Sequence, residues 1–166
     1  MTHISHDSAT PQPGQQVITA TVFIHHNFNG EEKLFLPKRA ETKKFLPGVY
    51  ELPGGHIDFG EDIKNGLKRE IQEEFHMNIS LGDPFYAFTY MNNIKGAHAI
   101  EVVYFATFTE SITQIVLNPE DHTEFIWLSE NNIDQVLSSV KNEEDVEIQA
   151  IIKGFKLLKG EMLNFG

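Results

Sequence analysis

Three carboxylates crowd one short stretch of this chain, Glu70, Glu73 and Glu74 in "REIQEEF". Their spacing is helical, and like charges one turn apart on a helix repel. With Ile63 set at zero and about 100° of advance per residue, Leu67, Ile71 and Phe75 form one apolar stripe. Glu70 and Glu74 fall inside or beside that stripe, and Glu73 just outside it. Lys64, Asn65, Lys68 and Gln72 take the opposite side. Gly66 is small enough to let another backbone approach. Carboxylates that face a core are costly to bury, and neighbouring carboxylates raise the cost. A hard dication, Mg²⁺ or Mn²⁺, would compensate them; oxygen donors without thiolate favour it over Zn²⁺. The plainer reading is a solvated acidic face balanced by Arg69 or Lys68. The inward angle of Glu70 and Glu74 argues against it. So does the loop "LPGG", Leu52 to Gly55, whose carbonyls and amides could face the same ion or a phosphate.

Several elements must position these residues. "VITATVFIHH" (Val17 to His26) is β-branched and apolar, a buried strand. Asn29-Gly30 signals a hairpin, and Lys33 to Arg39 is the return strand. A proline- and glycine-punctuated loop follows, around a short strand near Tyr50 to Leu52. Glu61 to Phe75 is the central helix. Phe85 to Met91, Ala97 to Thr109 and Glu124 to Leu128 are strands. Along the first of these, alternation sends Phe85 to one face and Tyr86, Phe88 and Tyr90 to the other. Core packing accounts for most of these rings, and one could stack on a base. Ser129 could cap a short helix through Leu137. Glu144 to Leu158 is a last amphipathic helix. The pattern is an α/β fold, a mixed β-sheet packed against helices.

Composition sets the outer limits. The chain has 166 residues, 40% hydrophobic and 22% charged, enough for one domain with its own core. Residues 1–15, polar and rich in Ser, Thr, Pro and Gln, form an expected flexible tail, with a single domain over 16–166. The tail's His3 and His6 could bind metal adventitiously, but solvation is the simpler account. A net charge of −11 repels nucleic acid and anionic membrane, so neither is an expected partner. An anionic substrate needs a metal ion or a local basic patch. With no cysteine, disulfides, thiol catalysis and thiolate metal sites are excluded. No apolar run has signal-peptide or membrane-spanning character, and a reducing, cytoplasmic setting is expected.

Gly55, five residues, Glu61, seven residues, Arg69-Glu70-Ile71, one residue, Glu73-Glu74 resembles the Nudix box in order and spacing. The box runs from Gly55 to Met77, with His76 where the family has its last Gly. That glycine usually stops the helix in a left-handed conformation. Asn78 is the better candidate for that turn here, with the helix running slightly longer. The resemblance implies an α/β/α sandwich and a Nudix hydrolase, an enzyme that cleaves nucleoside diphosphates linked to a further group.

It also implies roles. Glu70, Glu73 and Glu74 would hold Mg²⁺ or Mn²⁺ with the Gly54 carbonyl, and Arg69 would orient the glutamates. Glu61 would be structural, at the helix N-terminus where its charge is favourable. The cation would polarise the diphosphate and activate water for attack on phosphorus. Glu70 is one candidate for the general base. Glu124 is another, favoured over Glu120 and Asp121, because the family often places such a glutamate in a loop before a tryptophan like Trp127. Lys38, Arg39 and His56 are the expected substrate contacts. "PGGHIDFGE" is most similar to members that cleave nucleoside triphosphates. The proline that marks ADP-ribose enzymes is replaced by Asn92 and Asn93. An ADP-ribose or nucleotide-sugar pyrophosphatase is the alternative, as is a non-catalytic nucleotide sensor. Such domains often form homodimers.

Overall fold

The computed structural model describes residues 14–161. Most of the expected tail lies outside the described residues; Gly14 and Gln15 are held against Gly96 and His98 through backbone hydrogen bonds.

Six strands and two α-helices follow in order: β1 (Gln16–Phe28), β2 (Glu31–Arg39), β3 (Gly54–His56), α1 (Ile63–Phe75), β4 (Ile79–Asn92), β5 (Ala97–Phe108), β6 (His122–Leu128) and α2 (Val146–Leu158). The sheet order is β4-β5-β1-β2-β6, and β3 pairs with β1. β1 and β5 are parallel while the other pairings are antiparallel, so the sheet is mixed. Successive side chains of a strand alternate between faces. Ala20, Val22 and Ile24 of β1 therefore meet Leu67, Ile71 and Phe75 of α1. Phe23 meets Ile148, Ile151 and Phe155 of α2 on the other face. The result is an α/β/α sandwich. Each buried apolar side chain of α1 stabilises the fold by roughly 1.5–3 kcal/mol, which outweighs the repulsion among the nearby glutamates.

Four local expectations need correction. The short strand lies at Gly54–His56, not at Tyr50 to Leu52, where Tyr50 makes only an isolated bridge to Lys38. A Cβ at position 54 would stand 2.1 Å from the Ala20 carbonyl oxygen, so glycine is what lets this segment pair with β1. His76, not Asn78, is the left-handed residue that ends α1, with φ 55° and ψ 33°. Phe75 and Met77 are both fully buried, and Asn78 is already committed to Glu110 and Thr109, so the turn must fall between them. Gly66 makes room for the side chains of Ile57 and Glu61 rather than for another backbone. Phe85 shares the α2 side with Tyr86 and Phe88, because the β4–β5 register shifts around Pro84 and breaks the alternation.

Candidate active site

Asp62 starts α1 by accepting the N–H groups of Lys64 and Asn65, each at 3.1 Å. That cap directs the helix past the glycine loop. Glu70 is 6% exposed and Glu74 9%, as the helical angle requires, while Glu73 sits at the edge. Glu70 lies so close to the loop that a Cβ on Gly55 would stand 2.6 Å from its Oε2.

Arg69 organises the entrance. It donates to Glu61 at 2.8 and 2.9 Å, to Glu70 at 2.7 Å, to Glu73 at 3.5 Å and to the His56 carbonyl at 3.1 Å. Glu61 also accepts the Asp58 N–H at 2.9 Å, so one carboxylate fastens the loop to the helix. The hydrogen bonds that Arg69 donates to Glu61, then burial, then Glu70 shape the guanidinium, whose proton is held more tightly than usual.

Glu74 differs. Its Oε2 is buried without a hydrogen-bond partner. Burial, then the charges of Glu70, Glu51 and Asp121, push this carboxyl well above its usual range. An orphaned buried carboxylate oxygen beside Glu70 and the Gly54-Gly55 backbone suits a hard cation in donor type and charge. Among the described residues, no three acidic or imidazole groups already converge on one point, and Arg69 holds Glu70 and Glu73. The donor set fits a divalent cation, with Arg69 giving up part of its hold when one binds.

A cavity of about 110 Å³ opens beside this knot and is lined by Gly54, Gly55 and Glu74. Thr21, Glu101 and Tyr90 line it as well. Arg39 lines its wall, 6% exposed, bound to Glu51 at 3.2 Å and to the Phe45 carbonyl at 2.9 Å. Burial alone would raise Glu51, but Arg39 and His122 bring it down to about 2.

The other expected residues stand apart. Glu124 and Lys38 face each other across β2 and β6 at 3.6 Å, outside the cavity lining. The Tyr50 hydroxyl donates to Glu124 at 2.6 Å and lowers its carboxyl. His56 contributes its backbone carbonyl to Arg69. Thus the structure brings Gly54, Glu70, Glu73, Glu74, Arg69, Arg39 and His56 to one region and leaves Lys38 and Glu124 on the strand pair beyond it.

Sequence reasoning missed the buried Glu101 and Lys141 and the partly buried Glu51 and Glu147, all of which line this cavity. For Glu101 a signal existed. It is a lone carboxylate in the inward alternation Ala97, Ala99, Glu101, Val103 of β5.

Comparisons with known proteins identify the family. The NUDIX domain family matches residues 17–148. The nucleoside triphosphatase NudI of Escherichia fergusonii is 24% identical over 125 residues, 70% of this chain and 87% of that one. The m7GpppN-mRNA hydrolase NUDT17 of Danio rerio is 24% identical over 137 residues, 74% of this chain and 46% of that one. The chain spans 32% and 46% of the length of the first two curated relatives it matches. The crystal structure of the MutT protein from Methanosarcina mazei superposes with a TM-score of 0.69 at 21% identity, covering 91% of this chain and 99% of that one. With the family matched along most of its length and the box carboxylates folded against their glycine loop, the chain belongs to the Nudix hydrolase family.

Proposed function

We propose that this protein hydrolyses the diphosphate linkage of a nucleoside diphosphate joined to a further group, with nucleoside triphosphates as the foremost substrate class. The observation that carries this reading is Glu74: a buried carboxylate with an orphaned oxygen, one helical turn from Glu70 and lining the same cavity as the Gly54-Gly55 backbone. The name of the Escherichia fergusonii relative supports the triphosphate preference.

Glu70, Glu73, Glu74 and the Gly54 carbonyl would hold Mg²⁺ or Mn²⁺. Bound there, the cation supplies charge neutralisation for the diphosphate and lowers the pKa of water. Arg69 keeps the glutamates aimed at the loop. Glu70 is the better proton acceptor, because it packs against the Gly55 backbone of the glycine loop, whereas Glu124 lies on the β2–β6 strand pair with Lys38 and Tyr50. The partner is a small nucleotide, and the cysteine-free sequence supports a reducing, cytoplasmic setting.

The test is a substrate panel with Mg²⁺ or Mn²⁺ and detection of phosphate and pyrophosphate. It should include nucleoside triphosphates, ADP-ribose, dinucleoside polyphosphates and nucleotide sugars. At least one nucleoside triphosphate should be hydrolysed, faster at alkaline pH. Hydrolysis confined to ADP-ribose or a nucleotide sugar overturns the substrate class. Nucleotide binding with silence across the panel overturns catalysis and leaves a sensor.

A further inference from the structure

Glu101 is a buried carboxyl that the hydrolytic chemistry does not use. It lies on β5 at 6% exposure, opposite Thr19 of β1. Its Oε1 accepts the Thr19 hydroxyl at 3.1 Å, and its Oε2 accepts the Thr21 hydroxyl at 3.3 Å. Thr21 in turn pairs with Gly54 in the β1–β3 register. One strand therefore separates this carboxyl from the loop carbonyl assigned to the cation. The same cavity is lined by Glu101 and by Glu74, whose Oε2 is buried without a hydrogen-bond partner.

Aromatic rings complete the pocket. Tyr90 and Phe45 line the cavity with their planes 16° apart and centroids 6.0 Å apart. Phe88 also lines it. Phe45 is carried on a segment whose carbonyl is fixed by Arg39 at 2.9 Å. Flat rings beside a carboxyl make a site for a flat, nitrogen-rich ring: the π-face gives stacking, and the edge gives hydrogen bonds.

The edge chemistry narrows the choice. A carboxylate oxygen has more than one acceptor direction, so each oxygen of Glu101 can serve its threonine and a ligand together. Both oxygens are acceptors toward Thr19 and Thr21. A partner must then present two parallel N–H donors. Guanine does so with its ring N1–H and adjacent exocyclic amine. Adenine and cytosine offer one donor beside one acceptor. Uracil and thymine offer one N–H between two carbonyls, which a carboxylate repels. We propose that Glu101 is the specificity-determining residue of this site, and that it selects a guanine-type base stacked beside Tyr90.

Occupancy must change the state of this carboxyl. Burial, with Glu147 next, pushes Glu101 up to about 8, so the empty cavity favours the protonated acid. Paired N–H donors stabilise the ionised form, so binding of a guanine-type base releases this proton and strengthens as pH rises toward 8. A purely structural carboxyl between two hydroxyls has no need of a cavity or of aromatic neighbours.

This inference rests on the hydrolase reading, and the test separates the two. The kcat/KM values of GTP, ATP, CTP and UTP should be measured with Mg²⁺ for the wild type and Glu101→Gln. In parallel, GDP and UDP binding should be measured by calorimetry, which needs no turnover. The wild type should favour GTP. Glu101→Gln replaces one acceptor by a donor, so the guanine-to-cytosine ratio should fall by about 100-fold or more. An unchanged ratio in a folded variant, or a wild-type preference for ATP, CTP or UTP, overturns the assignment and leaves the hydrolase reading intact. Tighter GDP than UDP binding without hydrolysis of any nucleotide supports the assignment and removes the hydrolase. If Glu101→Gln does not fold, the wild-type preference and the GDP–UDP comparison decide.

Discussion

Glu147, in the first turn of α2, accepts a hydrogen bond from the backbone N–H of Leu52 at the head of the glycine loop. The same carboxylate binds Lys141 at 2.6 Å, and Lys141 donates to the Tyr50 carbonyl at 2.9 Å. Residues distant in sequence thus fix the backbone on both sides of Glu51. Lys141 is only 2% exposed, so losing Glu147 strands a buried cation and an amide together. Glu147→Ala should lower stability by about 3–5 kcal/mol. Lys141→Met should cost less, because Glu147 keeps the Leu52 amide and its burial already favours the neutral acid. Urea denaturation of both single variants and the double variant measures their coupling. Strictly additive losses would show that the two side chains do not act as a unit.

His76 marks where local preference yields to packing. A left-handed residue with a Cβ is strained, and glycine relieves that strain at the cost of more unfolded-state entropy. His76→Gly should therefore raise stability by up to about 1 kcal/mol. The opposing contribution is the His76 Nδ1 contact with the Val116 carbonyl at 3.1 Å. A drop in melting temperature would mean that this contact outweighs the backbone strain.

The central helix was legible because one periodicity governs it. The stripe through Leu67, Ile71 and Phe75 carried Glu70 and Glu74 inward with it, and both are buried. β3 was not legible, since no β-favouring side chain marks it; it exists because Gly54 has none to clash with Ala20. The end of α1 depended on burying Phe75 and Met77 together, a tertiary demand that turn preference does not encode. The network of Arg39, Glu51, His122, Lys141 and Glu147 assembles from β2, the loop after it, β6 and the approach to α2. Its members share no local spacing, so only the fold reveals them. Glu101 was readable from alternation alone, as the one charged residue on the inward face of β5.

Glu101 also gives the fold a pH dependence. Its folded value of about 8 lies above the ordinary 4.5, so the folded state binds the extra proton. That stability is fully present below the ordinary value and is lost as pH rises through about 8. Metal-free protein should lose roughly 1–4 kcal/mol between pH 5 and pH 9 from this group. Glu101→Gln, which does not titrate, should flatten the alkaline side of the profile. Glu51 acts oppositely: held down to about 2, it contributes stability above the ordinary value that disappears in acid. Parallel profiles for wild type and Glu101→Gln up to pH 9 would remove Glu101 as the source.

Glu74 and Arg69 should respond in opposite directions to substitution. Without a cation, Glu74 is buried beside Glu70 with one oxygen unpartnered, so its charge burdens the empty fold. Glu74→Gln keeps the shape and removes that charge. Metal-free melting should stay level or rise, and the stabilisation given by added Mg²⁺ should shrink, because a ligand stabilises only the state that binds it. Hydrolysis should fall by about two orders of magnitude or more. Glu73→Gln should show a similar loss of rate with less change in melting, because its side chain is 37% exposed. Arg69 is the opposite case. Its removal leaves Glu61 and Glu70 without their shared cation, and at 23% exposure water repairs only part of the loss. Arg69→Ala should cost about 2–4 kcal/mol, below the full figure for a buried pair. Melting temperatures with and without Mg²⁺, taken beside initial rates, decide the matter. If Glu74→Gln unfolds the metal-free protein and spares its rate, the acidic knot is structural and the site assignment fails.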